Sequence, residues 1–97
     1  MSSSTKLQLL DNASASSSGL HRIEQDGYYE WAIEGTFNGG SYQLQATNAN
    51  VTLTDIPGAV MYAAGTLRLW FTAGTLVKAV ETGTTSAMYS TLVGPVR

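Results

Sequence analysis

Cysteine is absent from the sequence, and this absence excludes several classes of protein. A chain without thiols has no disulfide framework, so it is not one of the disulfide-dense secreted scaffolds. It also has no thiolate that could act as a nucleophile or as a metal ligand.

Charge is scarce as well, since only 12% of the 97 residues are charged and the formal net charge is −2. Five scattered cations do not form the basic patch of a nucleic-acid-binding protein, so we expect no nucleic-acid partner. No apolar run approaches the roughly 18 residues of a membrane span, so we expect no membrane contact. The first residues lack the apolar stretch of a signal peptide. We therefore expect a chain that is made in the cytosol and is not processed.

The residues that are present favour one β-rich domain. The length suits a single domain, and 43% of the residues are hydrophobic, which is too many for a disordered chain. Serine, threonine, asparagine and glutamine supply most of the polar surface. Threonine favours strands and the ten glycines supply turns, whereas strong helix formers are nowhere grouped together.

Short stretches of alternating apolar and polar residues predict seven or eight β-strands. The clearest stretch is 28–46, where two alternating segments flank Asn38, Gly39 and Gly40, and this pattern predicts a β-hairpin. Residues 55–58, which contain Pro57 and Gly58, predict a turn. The other predicted strands cover 5–10, 51–53, 59–63, 66–71, 76–80 and 87–93, and residues 19–24 are ambiguous. Closely spaced short strands predict a small antiparallel β-sandwich or jelly-roll-like barrel.

The first part of the chain has a different character from the rest. We interpret residues 1–18 as an N-terminal strand with a Ser-rich arm, and residues 19–97 as the β-sandwich domain. An arm of such disorder-prone composition is expected to become ordered on a neighbouring chain. Lys6, Leu7 and Leu9 are the arm residues that we expect at this interface.

Residues that could carry chemistry do not form a recognisable set. His21 is the only histidine, and no cluster of ligands at zinc spacing surrounds it. Glu30 and Glu34 are about 13 Å apart in a strand, which is too far for the carboxylate pair of a glycosidase. Together with Glu24 or Asp26 they could form an acidic cleft or a calcium site, but the spacing of a calcium loop is absent, and a solvated outer face is the simpler interpretation.

The glycine-rich stretch 35–40 does not predict a nucleotide site. It does not open a helix, and it lacks the lysine of a phosphate-binding loop. We therefore expect no catalytic residue, no metal and no cofactor, and we do not expect an enzyme.

Trp70 is the most informative single residue. If Leu67, Leu69 and Phe71 face the core, Trp70 lies on the opposite face together with Arg68. An exposed tryptophan beside an arginine is typical of an interface anchor or of a platform on which a sugar stacks. The alternative is that both residues belong to a second core layer.

One stretch of the chain resembles a known group of proteins. From Tyr29 to Gln45, a strand ends in Gly-Thr-Phe, a glycine-rich turn follows, and the next strand ends in Leu-Gln. This stretch resembles small β-sandwich virion proteins of tailed bacteriophages, and residues 63–69 and 83–87 are similar to the closing strands of that family.

The resemblance implies a capsid decoration, or cement, protein. Such a protein is expected on the outer capsid surface of the virion, as a homotrimer that clamps subunits of the major capsid protein. The alternative function is a carbohydrate-binding or adhesive module of a phage tail or head fibre.

The lack of a catalytic set gives a direct prediction for His21. Changing His21→Ala should leave partner binding and the melting temperature essentially unchanged, because no ligand or acid partner surrounds this imidazole in the sequence. Binding assays and thermal melts of the variant test this. Loss of function in a variant that still folds would contradict it.

Overall fold

The computed structural model describes residues 5–48 and 52–96, and these residues form an all-β fold. Eight antiparallel strands form two sheets, and the part of the chain that is described contains no helix, so the predicted fold class is confirmed. The strands are β1 (Thr5–Ala13), β2 (His21–Arg22), β3 (Gly27–Thr36), β4 (Ser41–Asn48), β5 (Thr54–Met61), β6 (Gly65–Phe71), β7 (Thr75–Thr82) and β8 (Ser86–Val96).

The two sheets have four strands each. Sheet A has the order β1-β8-β3-β6, and sheet B has the order β2-β7-β4-β5. Among the described strands, only β4 and β5 are neighbours both in the sequence and in a sheet. The first and last strands pair with each other, with Thr5 opposite Gly94. Most of the pairing therefore joins segments that are far apart in the sequence.

The predicted hairpin at 28–46 is wrong, although its strands and its turn are correct. The turn has the expected positive φ angles, +51° at Asn38 and +79° at Gly39, and the Gly40 amide donates to the Phe37 carbonyl at 2.7 Å. However, β3 lies between β8 and β6 in sheet A, whereas β4 lies in sheet B. Both edges of β3 are occupied and Phe37 is buried, so the turn carries the chain from one sheet to the other.

The predicted turn at 55–58 is also corrected, because these residues lie inside β5. The strand continues through Pro57 and Gly58, and the pairing with β4 shifts in register there. The side-chain amide of Gln43 donates to the Leu44, Ile56 and Ala59 carbonyls at 2.9, 3.0 and 3.1 Å. A proline is tolerated because β5 is an edge strand, and the result is a bulge rather than a break. The strand predicted over 51–53 begins outside the described residues, and Leu53 is not in a strand.

The core lies between the two sheets and is built around aromatic side chains. Trp31, Tyr29 and Tyr42 are fully buried there. The Trp31 indole N–H donates to the Ser90 hydroxyl at 2.9 Å, and that hydroxyl donates to the Ala32 carbonyl at 2.9 Å. Ser90 is therefore the polar residue that allows a tryptophan to be buried here. The other buried apolar residues include Leu9, Leu10, Ile23, Ile33, Leu44, Phe71, Val77, Ala79, Met88 and Leu92.

The described part of the N-terminal segment is packed into the sandwich. Residues 5–13 form β1, which is longer than the predicted strand and pairs with β8. Ser18 is buried and bonds to β7 in both directions: its amide donates to the Ala79 carbonyl, and its hydroxyl accepts from the Ala79 amide, both at 2.8 Å. Residues 5–18 therefore make these contacts with strands of the same chain. Residues 1–4 lie outside the described residues.

A buried tyrosine forms a hydrogen bond to this N-terminal segment. The Tyr42 hydroxyl donates to the Ser16 carbonyl at 2.8 Å and lies 3.1 Å from the Thr85 hydroxyl. Burial raises the pKa of Tyr42 above its ordinary value of 10.0, and burial also raises the pKa of Tyr29, whose hydroxyl donates to the Gln25 carbonyl.

These raised pKa values predict a loss of stability in alkali. Above about pH 10 the tyrosines ionise first in the unfolded chain, so the free energy of unfolding should fall as the pH rises further. Urea unfolding between pH 8 and pH 11 measures this slope. Changing Tyr42→Phe should reduce the slope and should cost about 1 kcal/mol at neutral pH. The exposed Tyr62→Phe is the matched control, and an equal change of slope in both variants would contradict the prediction.

Candidate functional site

The predicted site at Trp70 lies on the outer face of sheet A. Phe71 is buried and Leu67 and Leu69 pack partly against the core, whereas Trp70 is 55% exposed and Arg68 is exposed. The alternation predicted for this strand is therefore confirmed. The alternative of a second core layer is wrong, because nothing in the described part of the chain covers this face.

Trp70 has an aromatic neighbour that the sequence analysis missed. Tyr28 lies directly opposite Trp70 in the pairing of β3 with β6. The two ring centroids are 5.2 Å apart and the rings meet edge to face at 77°. Tyr28 is 49% exposed, so the pair forms an aromatic surface on the sheet. Alternation alone places Tyr28 outside, but only the register brings it to Trp70.

Arg68 has a defined partner as well. Its guanidinium Nη2 lies 3.3 Å from Oε2 of Glu30, which is directly opposite on β3. Both side chains are about half exposed, so solvent screens the pair and its contribution to stability is at most about 1 kcal/mol. Its structural effect is to hold Arg68 beside the aromatic pair. We call Tyr28, Glu30, Arg68 and Trp70 the aromatic patch.

A shallow depression adjoins the aromatic patch at the end of β3. Its volume is about 380 Å³, and its lining includes Gln25, Asp26, Tyr28, Trp70, Pro95 and Val96. An Asp26 carboxylate oxygen accepts from the Ala73 amide at 2.7 Å, which joins the loop before β3 to the turn after β6. The depression combines two aromatic rings with an amide and a carboxylate.

A second, larger depression crosses the middle of the same sheet. Its volume is about 480 Å³. Its floor consists of small side chains, because the strand register places Ala32 between Thr66 on β6 and Thr91 on β8. These small side chains leave room between the longer side chains of Lys6, Gln8, Glu34 and Tyr89, which also line it. The outer face of sheet A is therefore concave at its centre and aromatic at one end.

The arm residues that were predicted to form an interface are separated by the fold. Lys6 is exposed and borders the larger depression. Leu7 is half buried against the core, and Leu9 is only 5% exposed, so Leu9 is wrong as an interface residue. The cause is the pairing of β1 with β8, which directs alternate β1 side chains between the sheets. A bulge at Gln8 then places Leu10 inward too.

The acidic residues and the histidine do not come together. Within residues 5–48 and 52–96, no group of three or more histidine, aspartate or glutamate side chains could hold a metal ion. His21 lies in the short strand β2, opposite Val77. Oε2 of Glu24 lies 3.9 Å from Nε of Arg22. Glu30 forms its ion pair with Arg68 and does not come together with Glu34.

Comparison with known proteins identifies no family for this chain. No family model, no curated protein and no solved structure matches the chain. In the described residues, no helix has both the length and the apolar character needed to cross a membrane.

The exposure of Trp70 is testable by fluorescence. Trp31 is fully buried and Trp70 is 55% exposed, so acrylamide should quench two distinct populations in the native protein. Changing Trp70→Phe should remove the readily quenched population and leave the protected one. Changing Tyr62→Phe is the matched control and should leave both in place. Uniform protection of the two tryptophans would contradict the exposed position of Trp70.

Proposed function

We propose that this chain is a phage capsid decoration protein that binds the outer surface of the shell through the outer face of sheet A. The observation that carries the proposal is the aromatic patch, in which Tyr28 and Trp70 lie exposed beside the ion pair of Glu30 and Arg68. Aromatic residues and arginine dominate the energetic centres of protein interfaces. The likeness of residues 29–45 to phage virion proteins supports the choice of partner.

The patch is suited to binding because the fold holds it rigid. Its four residues lie on two paired strands, and β3 is also fixed by β8 on its other edge. Little backbone freedom therefore remains to be lost on binding, which favours affinity. The low overall charge of the chain also reduces the desolvation cost when a surface is buried.

The proposed mechanism is stabilisation by mass action. A module that binds the assembled shell, and not the free capsid subunit, shifts the equilibrium towards the shell in proportion to its occupancy. No catalytic step is needed. The affinity of the aromatic patch for the lattice sets the gain in stability.

The alternative function is a carbohydrate-binding module, and the smaller depression favours it. The rings of Tyr28 and Trp70 offer apolar surfaces for a sugar ring, and Gln25 and Asp26 offer polar groups for its hydroxyls. In this reading the patch is open to solvent until a glycan binds.

The variant Trp70→Ala separates the two functions. Removal of a central aromatic from a protein interface commonly costs about 2 kcal/mol, or roughly 30-fold in affinity. Virions that carry the variant should therefore rupture at a lower temperature or in low salt, and a glycan array should show no binding by the native protein. Tyr62→Ala removes an aromatic that is also more than half exposed but lies outside the strands of the sheet, and virions that carry it should match the native ones.

Two results would overturn the capsid proposal. Intact capsids combined with lost glycan binding in Trp70→Ala would favour the carbohydrate-binding module. Unchanged capsid stability and no glycan binding by the native protein would reject both functions for this patch.

A further inference from the structure

Every open sheet ends in edge strands whose unpaired amides and carbonyls can pair with another chain. Here the edges are β1 and β6 in sheet A, and β2 and β5 in sheet B. Three of them are poorly suited to pairing. The β1 edge has two register irregularities, β5 has the bulge at Pro57 and Gly58, and β2 has only two residues.

The edge formed by β6 lacks these protections. Its seven residues pair with β3 from Gly65 to Phe71 without any shift of register. The strand has no proline, and Arg68 is its one charged residue. A straight edge of this length, with Leu67, Leu69 and Phe71 on its inner side, is a template for a further strand.

Within the part of the chain that the structure describes, the apolar side of the sandwich is also open along this edge. Leu67 and Leu69 are only partly buried, and so are Ile56 and Met61 on β5, which forms the edge of sheet B. Met61 Cε lies 3.6 Å from the point that a Cβ atom would occupy at Gly65. The β5 edge of sheet B and the β6 edge of sheet A therefore lie on the same side of the molecule. A strand that continued sheet A would cover this apolar strip.

We propose that β6 pairs with β6 of a second copy of this chain, antiparallel and centred on Leu69. A second copy fits this edge because β6 is self-complementary in this register. Leu69 meets its own copy and Leu67 meets Phe71 on the inner side. On the outer side Arg68 of each copy meets Trp70 of the other, where the guanidinium lies beside an aromatic ring.

The neighbouring register is less favourable. A pairing centred on Arg68 places two arginines directly opposite each other, and like charges in that position repel. The pairing centred on Leu69 avoids this contact and forms two arginine–tryptophan contacts instead. The dimer has a two-fold axis, and its sheet A becomes a continuous eight-stranded sheet with both aromatic patches at its centre.

This inference goes beyond the proposed function, because it holds whether or not the face binds a capsid. The test is the mass of the purified full chain by sedimentation equilibrium. The native protein should sediment at twice the 10.3 kDa of the chain. Trp70→Arg places two arginine–arginine contacts across the axis, and it should raise the dissociation constant roughly tenfold or more. Tyr89→Arg, at an exposed aromatic two strands away from β6, is the matched control and should remain dimeric.

A second substitution tests the register itself. Adding Arg68→Trp to Trp70→Arg restores an arginine–tryptophan contact on both sides of the axis, so the double variant should dimerise again. Circular dichroism confirms that each variant is folded. A native monomer, a native trimer such as the resemblance implies, or a double variant that stays as weak as Trp70→Arg would overturn the proposal.

Discussion

The hydrogen bond from the Trp31 indole to the Ser90 hydroxyl is the interaction on which the rest of the fold depends. A fully buried indole N–H without a partner would destabilise the core by about 1–3 kcal/mol. Ser90 provides that partner and passes a hydrogen bond on to the Ala32 carbonyl. This chain of two bonds fixes β8 against β3, and the register of β3 in turn positions every residue of the aromatic patch. In the described residues, no buried side-chain polar atom lacks a hydrogen-bond partner.

The exposed face follows from the buried one. Trp31, Tyr29 and Ile33 point inward from β3, and this requires Tyr28, Glu30 and Ala32 to point outward. The core thus decides which residues reach solvent, and the neighbouring strands decide which of them touch. Tyr28 meets Trp70 and Glu30 meets Arg68 because β6 pairs with β3 without a shift. The backbone that presents this surface is fixed by pairing on both sides of β3.

Alternation in the sequence predicted most strands and the outward position of Trp70, because a period of two is a local property of the chain. It could not predict strand pairing, which depends on contacts between distant residues. The turn at Asn38 and Gly39 has the dihedral angles of a hairpin turn, yet it joins two sheets because β3 is already paired on both edges. Tyr28 was missed for the same reason. Leu9 was misplaced because the sequence does not show that β1 lies beside β8.

The position of β8 also has a consequence for how the protein forms during synthesis. In sheet A, β8 separates β1 from β3, although it is synthesised after the other seven described strands. The backbone of β1 therefore has no partner strand until residues 86–96 have emerged. At about 5–20 residues per second, this leaves β1 unpaired for several seconds after its own synthesis. Sheet A cannot be completed strand by strand on the nascent chain, and its assembly waits for β8.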